Sequence, residues 1–360
     1  MAIVRIEGEK EKSMGVHYEV DFDQDPIGFG GMGTVMKGER VESNGVRIAV
    51  AIKFLFEDLP QNAVDRARRE ASIQLQNDNL VKMYGFVEII DGDKHRLHVV
   101  SEFLDGIMLH DFLKGVIVNS KGETVPFFER LYNQFCENKA KFAIYLIKNI
   151  LSGIMALHDA GYIHRDIDPS NIMLTTDGKI KLIDFGVARN ISSMAKNDNR
   201  QLTVAGNFIG KASYAAPELA MGDIQHQNQS TDIYAIGILL YQILTGELPF
   251  NGPLYEVLEK QIREPLPLNN IQDNGLRRVI ATATQKNQQM RYHSAAEFRV
   301  ALEKLEYAME QASKQPKAVQ AAPSTGFFYK LATMSSGMIF LLMLILGVAL
   351  GLLAYFIVSI

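Results

Sequence analysis

The segment from Gly28 to Val35 reads GFGGMGTV and fits the pattern G-x-G-x-x-G-x-V. Glycines at this spacing let the backbone bend sharply, so that its N–H groups can approach phosphate oxygens closely. A dinucleotide-binding turn has the same glycine spacing but opens a helix, whereas residues 33–38 alternate like a strand. The segment therefore predicts a glycine-rich phosphate loop between two strands.

The hydrophobic pattern divides the chain into a strand-rich part and a helix-rich part. Strand patterns occupy residues 33–38, 47–54, 80–90 and 96–103, and helical periodicity dominates after about residue 107, as in 139–160, 232–246 and 295–309. This order predicts an α+β fold of two lobes with a ligand cleft between them. We expect an N-terminal extension over 1–17, a small lobe over about 18–104 and a large lobe over about 105–308.

Four further motifs follow the glycine loop in order: Val50-Ala51-Ile52-Lys53, His164-Arg165-Asp166-Ile167-Asp168-Pro169-Ser170-Asn171, Asp184-Phe185-Gly186 and Ala216-Pro217-Glu218. They supply a lysine for phosphates, a carboxylate base, and an amide and a carboxylate for a metal ion. With these five motifs the chain resembles the eukaryotic-like (Hanks-type) Ser/Thr protein kinase family over about residues 18–308. Its motif wording is most similar to that of bacterial members with a membrane anchor.

The resemblance implies a two-lobed protein kinase fold and ATP-dependent phosphorylation of Ser and Thr hydroxyls in protein substrates. Lys53 would hold the α- and β-phosphates of ATP and pair with Glu70 on the following helix. Asp166 would accept the proton of the substrate hydroxyl. Asn171 and Asp184 would bind Mg²⁺, with Mn²⁺ as the other candidate ion.

The resemblance also places a nucleotide pocket between the lobes. Val35 and Ala51 would cover the adenine from above and Met173 from below, while backbone groups of Glu102 and Leu104 would hydrogen-bond its edge. Ser101 would guard the back of the pocket, and its small side chain would leave it open. The full ATP-binding set is Ile27, Gly28, Phe29, Gly30, Gly31, Met32, Gly33, Thr34, Val35, Ala51, Lys53, Glu70, Glu102, Leu104 and Met173.

Two structural roles follow from the same resemblance. Asp232 would tie down the backbone of the catalytic loop at the start of the central helix of the large lobe. Arg291 would pair with Glu218 at the end of the activation segment. A solvated surface position is the alternative for Arg291.

Two residues depart from the family pattern in the catalytic centre. Asp168 stands where the family usually has a lysine that helps bind the transferred phosphate, and Lys211 stands where it usually has a threonine. A carboxylate about 4 Å from the γ-phosphate costs on the order of 4 kcal/mol at an effective dielectric constant near 20. The resemblance implies that the positions of Asp168 and Lys211 are neighbours in the fold. We therefore hypothesise that Lys211 pairs with Asp168 and supplies the missing ammonium, which makes both residues candidate catalytic residues.

Other functions remain open at this point. Lys211 as a solvated loop lysine and Asp168 as a sign of weak catalysis would fit a membrane-tethered pseudokinase scaffold. A small-molecule kinase of related fold is disfavoured, because an activation segment ending in Ala216-Pro217-Glu218 forms a platform for peptides. The net charge of −4 argues against a general nucleic-acid partner.

The activation segment, residues 184–218, holds the candidate sites of regulatory phosphorylation. Arg165, beside Asp166, indicates a basic pocket that a phosphorylated segment could occupy. The hydroxyl residues of the segment include Ser192, Ser193, Thr203 and Ser213, and Thr203 is the favoured acceptor. Ordinary solvated loop hydroxyls are the alternative.

The C-terminal residues 337–360 contain no charged side chain, and glycines and Ser359 are the only residues outside the hydrophobic set. A helix of this length spans about 36 Å, enough to cross a bilayer core of about 30 Å. We expect one transmembrane helix, with a buried core helix as the alternative, after a flexible tether over 309–336. Lys314, Lys317 and Lys330 precede the helix and predict a cytoplasmic catalytic part.

Two small residues in this predicted span, Gly347 and Gly351, form a G-x-x-x-G pattern. Such residues let two membrane helices approach closely. The pattern therefore allows a homodimer that could phosphorylate itself in trans.

Overall fold

The computed structural model describes residues 3–91, 94–119, 121–184, 189–190 and 211–314, together with 338, 341 and 343–351. Residues 1–308 and 309–360 are two separate compact units. The candidate acceptors Ser192, Ser193 and Thr203 lie outside the described residues, as do residues 315–336 and much of the predicted span.

The small lobe is a seven-stranded antiparallel sheet in the order β1-β2-β4-β5-β7-β6, with β3 paired to β4. Alternation along β5 explains its orientation, because Val50 and Ile52 are fully buried in the core that one face of the sheet forms. Helix α2 packs on β6 and β7. The elements are β1 Ile3–Ile6, α1 Glu9–Met14, β2 His17–Asp21, β3 Gly28–Gly30, β4 Gly33–Val41, β5 Arg47–Leu55, α2 Gln61–Ser72, β6 Met83–Asp91 and β7 Lys94–Glu102.

The predicted N-terminal extension contributes to this lobe. Its first strand, Ile3–Ile6, pairs with β2 from Tyr18 to Asp21, and Ile6 joins the buried core. The predicted start of the small lobe at residue 18 therefore falls inside β2. A four-residue strand is too short for its alternation to stand out in the sequence, so only the tertiary pairing reveals it.

The large lobe is mainly helical, as the sequence predicts. Helix α5, Lys139–Asp159, packs against α7 and β11, with residues such as Phe142, Leu146 and Ile150 buried. Its length and apolar composition alone would suit a membrane span, but 56% of its most apolar stretch is buried inside the protein, so it is a core helix. The remaining elements are β8 Gly106–Met108, α3 Leu109–Phe112, α4 Pro126–Glu137, β9 Tyr162–Ile163, β10 Ile172–Thr175, β11 Ile180–Leu182, β12 Arg189–Asn190, α6 Pro217–Ala220, α7 Gln229–Thr245, α8 Leu254–Arg263, α9 Asn274–Ala283 and α10 Ala295–Lys314.

Two short β-hairpins position the residues of the predicted motifs. Strands β3 and β4 pair Gly28 with Val35 and Gly30 with Gly33, so the glycine loop is the tip of a β-hairpin and opens no helix. Strands β10 and β11 are also antiparallel. Because Asn171 immediately precedes β10 and Asp184 follows β11, both residues come to the same end of the second hairpin.

A buried ion pair holds the end of the activation segment against the large lobe. Arg291 donates to both carboxylate oxygens of Glu218 at 2.9 Å and to the carbonyl oxygen of Ser230, and both charged side chains are almost fully buried. Burial alone would raise the pKa of Glu218, but the hydrogen bonds and the charge of Arg291 hold it below its usual 4.5. The predicted pairing of Arg291 with Glu218 is therefore confirmed.

We expect Arg291→Met to lower the free energy of unfolding by about 3–5 kcal/mol, because it leaves the Glu218 carboxylate buried without its countercharge. Urea unfolding followed by circular dichroism measures the change. Arg263→Met is the matched control, since Arg263 pairs with Glu259 at 3.9 Å on the exposed surface and should change stability by less than about 1 kcal/mol. Equal effects of the two substitutions would contradict this account of the buried pair.

Substitution of Gly33 and Gly31 should show the difference in stability between a glycine packed against a neighbouring backbone and a glycine in an open loop. A Cβ atom added at Gly33 would lie 2.0 Å from the carbonyl oxygen of Phe54 in the paired strand, whereas one added at Gly31 meets nothing within 4 Å. We expect Gly33→Ala to cost about 1–3 kcal/mol of stability through overpacking, and Gly31→Ala to cost less than about 0.5 kcal/mol. Thermal unfolding of the two variants measures the difference, and similar melting temperatures would show that β4 and β5 can separate without cost.

Candidate active site

A cleft between the two lobes brings most of the predicted nucleotide residues together. Its walls are mainly apolar, which suits a planar base, and the charged residues that line it are Lys53, Glu70, Glu102 and Asp184. The predicted residues that line it are Ile27, Gly28, Val35, Ala51, Lys53, Ser101, Glu102, Leu104, Met173 and Asp184, with Glu70. Lys53 and Glu70 thus face one cleft, and their ion pair stays a prediction.

Several residues of the cleft were missed by the sequence reasoning. Val81, Met83, Val99, Phe103, Met108 and Ile183 also line it. An apolar residue on or next to a strand is usually a core residue, so nothing local in the sequence marks these six as cleft residues. The other glycine-loop residues, from Phe29 to Thr34, lie on the β3–β4 hairpin.

The connection between the lobes presents backbone groups at the end of the cleft where the sequence predicts adenine. The N–H groups of Glu102 and Phe103 already donate to the carbonyl oxygens of Lys82 and Ala49. Leu104, which also lines the cleft, then provides the N–H group that the sequence predicts for the adenine edge. This arrangement fits a nitrogen heterocycle that needs a donor from the protein.

A second feature of this connection is a partly buried ion pair that the sequence reasoning missed. The Lys181 Nζ donates to Glu102 Oε1 at 2.6 Å and to the carbonyl oxygen of Leu80 at 3.0 Å, and the Lys181 side chain is only 8% exposed. Lys181 lies on β11, three residues before Asp184. The pair therefore links the interlobe connection to the strand that carries a candidate metal ligand.

The catalytic loop is fixed by Asp232, as the resemblance implies. Asp232 is fully buried and accepts hydrogen bonds from the backbone N–H groups of His164 and Arg165 and from His158 Nε2, each at 2.8 Å. Burial would raise the pKa of Asp232, but the hydrogen bond and charge of His158 lead the interactions that lower it. The carboxylate thus satisfies two backbone N–H groups of the bent catalytic loop and holds the loop in this conformation.

Backbone strain is concentrated at the same place. Among the described non-glycine residues, only Arg165 and Asp184 have positive φ, at 68° and 61°. Such conformations cost free energy and persist where the surrounding structure enforces them, often at functional sites. The two strained residues are one residue of the catalytic loop, Arg165, and one candidate metal ligand, Asp184.

Asp166 and Asn171 are in direct contact inside the catalytic loop. The Asn171 Nδ2 donates to the backbone oxygen of Asp166 at 2.8 Å and to its Oδ2 at 3.0 Å. Burial, followed by the nearby charge of Asp168, raises the pKa of Asp166 above its usual 3.8. A raised pKa makes this carboxylate a better proton acceptor than an exposed aspartate.

The donor set around Asp166 fits a hard divalent cation. Because the Asn171 amide nitrogen is committed to Asp166, its amide oxygen is the atom left for a metal, and Asp184 adds a carboxylate at the same end of the β10–β11 hairpin. Oxygen ligands of these two kinds are what Mg²⁺ prefers. No cluster of three or more His, Cys, Asp or Glu side chains suited to a metal occurs among the described residues, so such an ion would rely on few protein ligands, as Mg²⁺ bound to phosphates does.

The two residues that depart from the family pattern are in contact. The Lys211 Nζ lies 2.6 Å from Asp168 Oδ1 and 2.7 Å from Ser170 Oγ. Asp168 is almost completely buried, whereas the Lys211 side chain is half exposed. The structure thus shows the contact that the sequence hypothesis requires, and the catalytic role of the pair stays a prediction.

Comparison with known proteins places these features in a family. The model of the protein kinase domain matches residues 23–305. The chain is 30% identical over 320 residues to the serine/threonine-protein kinase PknB of Mycobacterium tuberculosis strain H37Rv, covering 86% of this chain and 46% of that protein. It is also 32% identical over 291 residues to the serine/threonine-protein kinase pkn2 of Myxococcus xanthus, covering 77% of this chain and 31% of that protein.

A third relative is the probable serine/threonine-protein kinase PknB of Lactococcus lactis, 31% identical over 281 residues, with 76% of this chain and 40% of that protein covered. The chain spans less than half the length of these curated relatives. The family match begins after β2 of the small lobe and covers every residue of the cleft described above. The chain therefore belongs to the eukaryotic-like Ser/Thr protein kinase family.

Proposed function

We propose that this chain transfers the γ-phosphate of ATP to Ser and Thr hydroxyls of protein substrates. The observation that carries the proposal is the interlobe cleft, where Lys53 and Asp184 meet the apolar walls of a base-sized pocket. A lysine, an apolar pocket and a metal-binding carboxylate in one cleft match the needs of a nucleoside triphosphate.

The catalytic loop supplies the groups for the transfer itself. Asp166 is the proton acceptor, and its contact with Asn171 fixes its carboxylate beside the metal-binding end of the cleft. Lys53 would hold the α- and β-phosphates. Mg²⁺ held by Asn171 and Asp184 would neutralise phosphate charge.

The segment after Lys211 supports a peptide substrate over a small molecule. The carbonyl oxygens of Ala212 and Ser213 accept hydrogen bonds from Gln261 Nε2, and the hydroxyl of Tyr214 donates to Gln242. Together with the Glu218–Arg291 pair, these contacts hold the segment as a fixed surface beside Asp166. A fixed surface of this kind is what an extended peptide needs for recognition.

Phosphoryl transfer distinguishes this proposal from the pseudokinase alternative. We expect Asp166→Asn and Lys53→Met each to lower transfer of labelled phosphate from [γ-³²P]ATP to a generic protein substrate by about 100-fold or more, because each removes a group that acts on the reacting atoms. Scintillation counting of the gel-separated substrate measures it. Arg263→Met, far from the loop in sequence and exposed, should retain wild-type transfer. Equal labelling by wild type and Asp166→Asn would refute the proposal.

We further propose that residues 337–360 anchor the protein in a membrane with the catalytic part in the cytoplasm. Residues 343–351 are helical, and the large apolar side chains from Met343 to Leu350 are 53–70% exposed. An exposed apolar helix surface of this kind is costly in water and is stabilised by lipid. The lysines that precede the segment favour the cytoplasmic orientation.

Pairing of two such anchors would favour autophosphorylation. Gly347 and Gly351 lie about one helical turn apart, which places both on one face of the described helix. Small residues at this spacing support a homodimer with close helix contact. Two tethered kinase domains would then phosphorylate each other's activation segments, with Thr203 as the favoured acceptor.

Deletion of residues 337–360 should move the protein from the membrane fraction to the soluble fraction, because the remaining sequence lacks the exposed apolar helix. Ultracentrifugation after carbonate washing, with immunoblotting, measures the distribution. Deletion of residues 315–336 is the matched control, since it removes a similar length and keeps the anchor. A full-length chain found in the soluble fraction would contradict membrane anchoring.

A further inference from the structure

We infer that Lys211 is the residue that binds the γ-phosphate of ATP during transfer, and that Asp168 is its positioning residue. This inference rests on the proposed kinase function. It assigns the phosphate-binding ammonium to the activation segment, whereas the family pattern has a lysine in the catalytic loop at the position of Asp168.

The carboxylate of Asp168 is held in place by local hydrogen bonds and pairs with the ammonium of Lys211. Its Oδ1 accepts hydrogen bonds from the backbone N–H and the Oγ of Ser170, each at 2.7 Å, as well as from Lys211 Nζ. The Asp168 side chain is only 2% exposed. These hydrogen bonds fix the orientation of the Asp168 carboxylate, so it can hold the Lys211 ammonium in one position. The burial of this negative charge is tolerated because the ammonium pairs with it.

Lys211 keeps bonding capacity for a ligand. An ammonium group has three N–H donors, and two of them are directed to Asp168 and Ser170. The half-exposed side chain leaves the third donor on the solvent side. Asp168 and Ser170 therefore hold the ammonium of Lys211, and its third N–H donor is available to a ligand.

The position of Lys211 relates this donor to the transferred phosphate. Asn171 Nδ2 donates to Asp166 Oδ2 at 3.0 Å and lies 3.5 Å from Asp168 Oδ2, and the other oxygen of Asp168 contacts Lys211 Nζ at 2.6 Å. The ammonium is therefore close to Asp166, where the substrate hydroxyl would meet the γ-phosphate. An ammonium at this place can bind the phosphate oxygens.

The charge of the centre requires such a cation. Asp166, Asp168 and Asp184 are three carboxylates in or beside the catalytic loop. Without Lys211, the triphosphate would approach an uncompensated buried carboxylate at Asp168. Lys211 neutralises that carboxylate and leaves the catalytic loop able to accept an anion.

The binding test compares ATP with ADP, because only ATP has the γ-phosphate. Isothermal titration of the full chain in detergent, with and without Mg²⁺, gives the two dissociation constants. We expect Lys211→Met to weaken ATP about tenfold or more relative to ADP, since a charge-assisted hydrogen bond is lost. Lys211→Arg should keep most of the preference for ATP.

Two further variants separate the role in binding from a structural role. Lys179→Met is the matched control, because Lys179 makes a 2.7 Å ion pair with Asp78 at a similarly exposed position, and it should leave the ATP preference unchanged. Asp168→Asn keeps the shape of the buried group and should reduce the preference partially, through a less well-held Lys211. If Lys211→Met does not fold, Asp168→Asn and Lys211→Arg still decide the matter.

The transfer test replaces Asp168 and Lys211, singly and together, with the residues that the family usually has at these positions. Asp168→Lys and Lys211→Thr should each lower phosphoryl transfer, and the double variant, which restores the family arrangement, should exceed Lys211→Thr by about tenfold or more. Such coupling is the signature of two residues that act together. Purely additive losses, or an unchanged ATP preference in Lys211→Met, would overturn the inference.

Failure of the inference and failure of the proposed function give different results. A wild-type chain that binds ATP in preference to ADP but transfers no phosphate refutes the kinase proposal. If Lys211→Met abolishes that preference, the phosphate contact still stands. A wild-type chain that transfers phosphate, with Lys211→Met indistinguishable from it in both tests, refutes only the role of Lys211.

Discussion

The catalytic centre depends on the fully buried carboxylate of Asp232. Its three hydrogen bonds from His158 and from the backbone of His164 and Arg165 hold the loop that carries Asp166. The helix that contains Asp232 lies in the core of the large lobe, so the hydrophobic packing of that lobe sets the position of Asp166, the proposed proton acceptor. The positive φ of Arg165 is strain that this anchoring maintains.

Charge balance is the second constraint on the centre. The catalytic loop has an extra carboxylate at Asp168, and the compensating ammonium comes from Lys211, near the end of the activation segment. Because Arg291 holds Glu218, the packing of the large lobe also fixes the neighbourhood of Lys211. If Lys211 binds the γ-phosphate as proposed, ATP binding and the docked position of this segment would stabilise each other, since linkage between two sites is reciprocal.

Motif chemistry made much of the site predictable from the sequence, because phosphate and metal binding need particular residue types at fixed spacings. Gly33, Lys53, Asp166 and Asp184 are of this kind, and the Lys211–Asp168 contact followed from charge together with the family resemblance, in which the two positions are neighbours. The strand Ile3–Ile6 and the Lys181–Glu102 pair could not be predicted, because each depends on a partner far away in the chain. The same holds for apolar cleft residues such as Val81, whose local pattern is that of any core residue.

The proposed transfer of phosphate to Ser and Thr hydroxyls is tested most directly by phosphoamino-acid analysis. The purified chain is incubated with Mg²⁺-ATP and a protein substrate, and the phosphorylated residues are identified by mass spectrometry. The account predicts phosphoserine and phosphothreonine in the wild-type reaction and neither in the Asp166→Asn reaction. Phosphate found only on tyrosine, or no phosphorylated residue in the wild-type reaction, would contradict it.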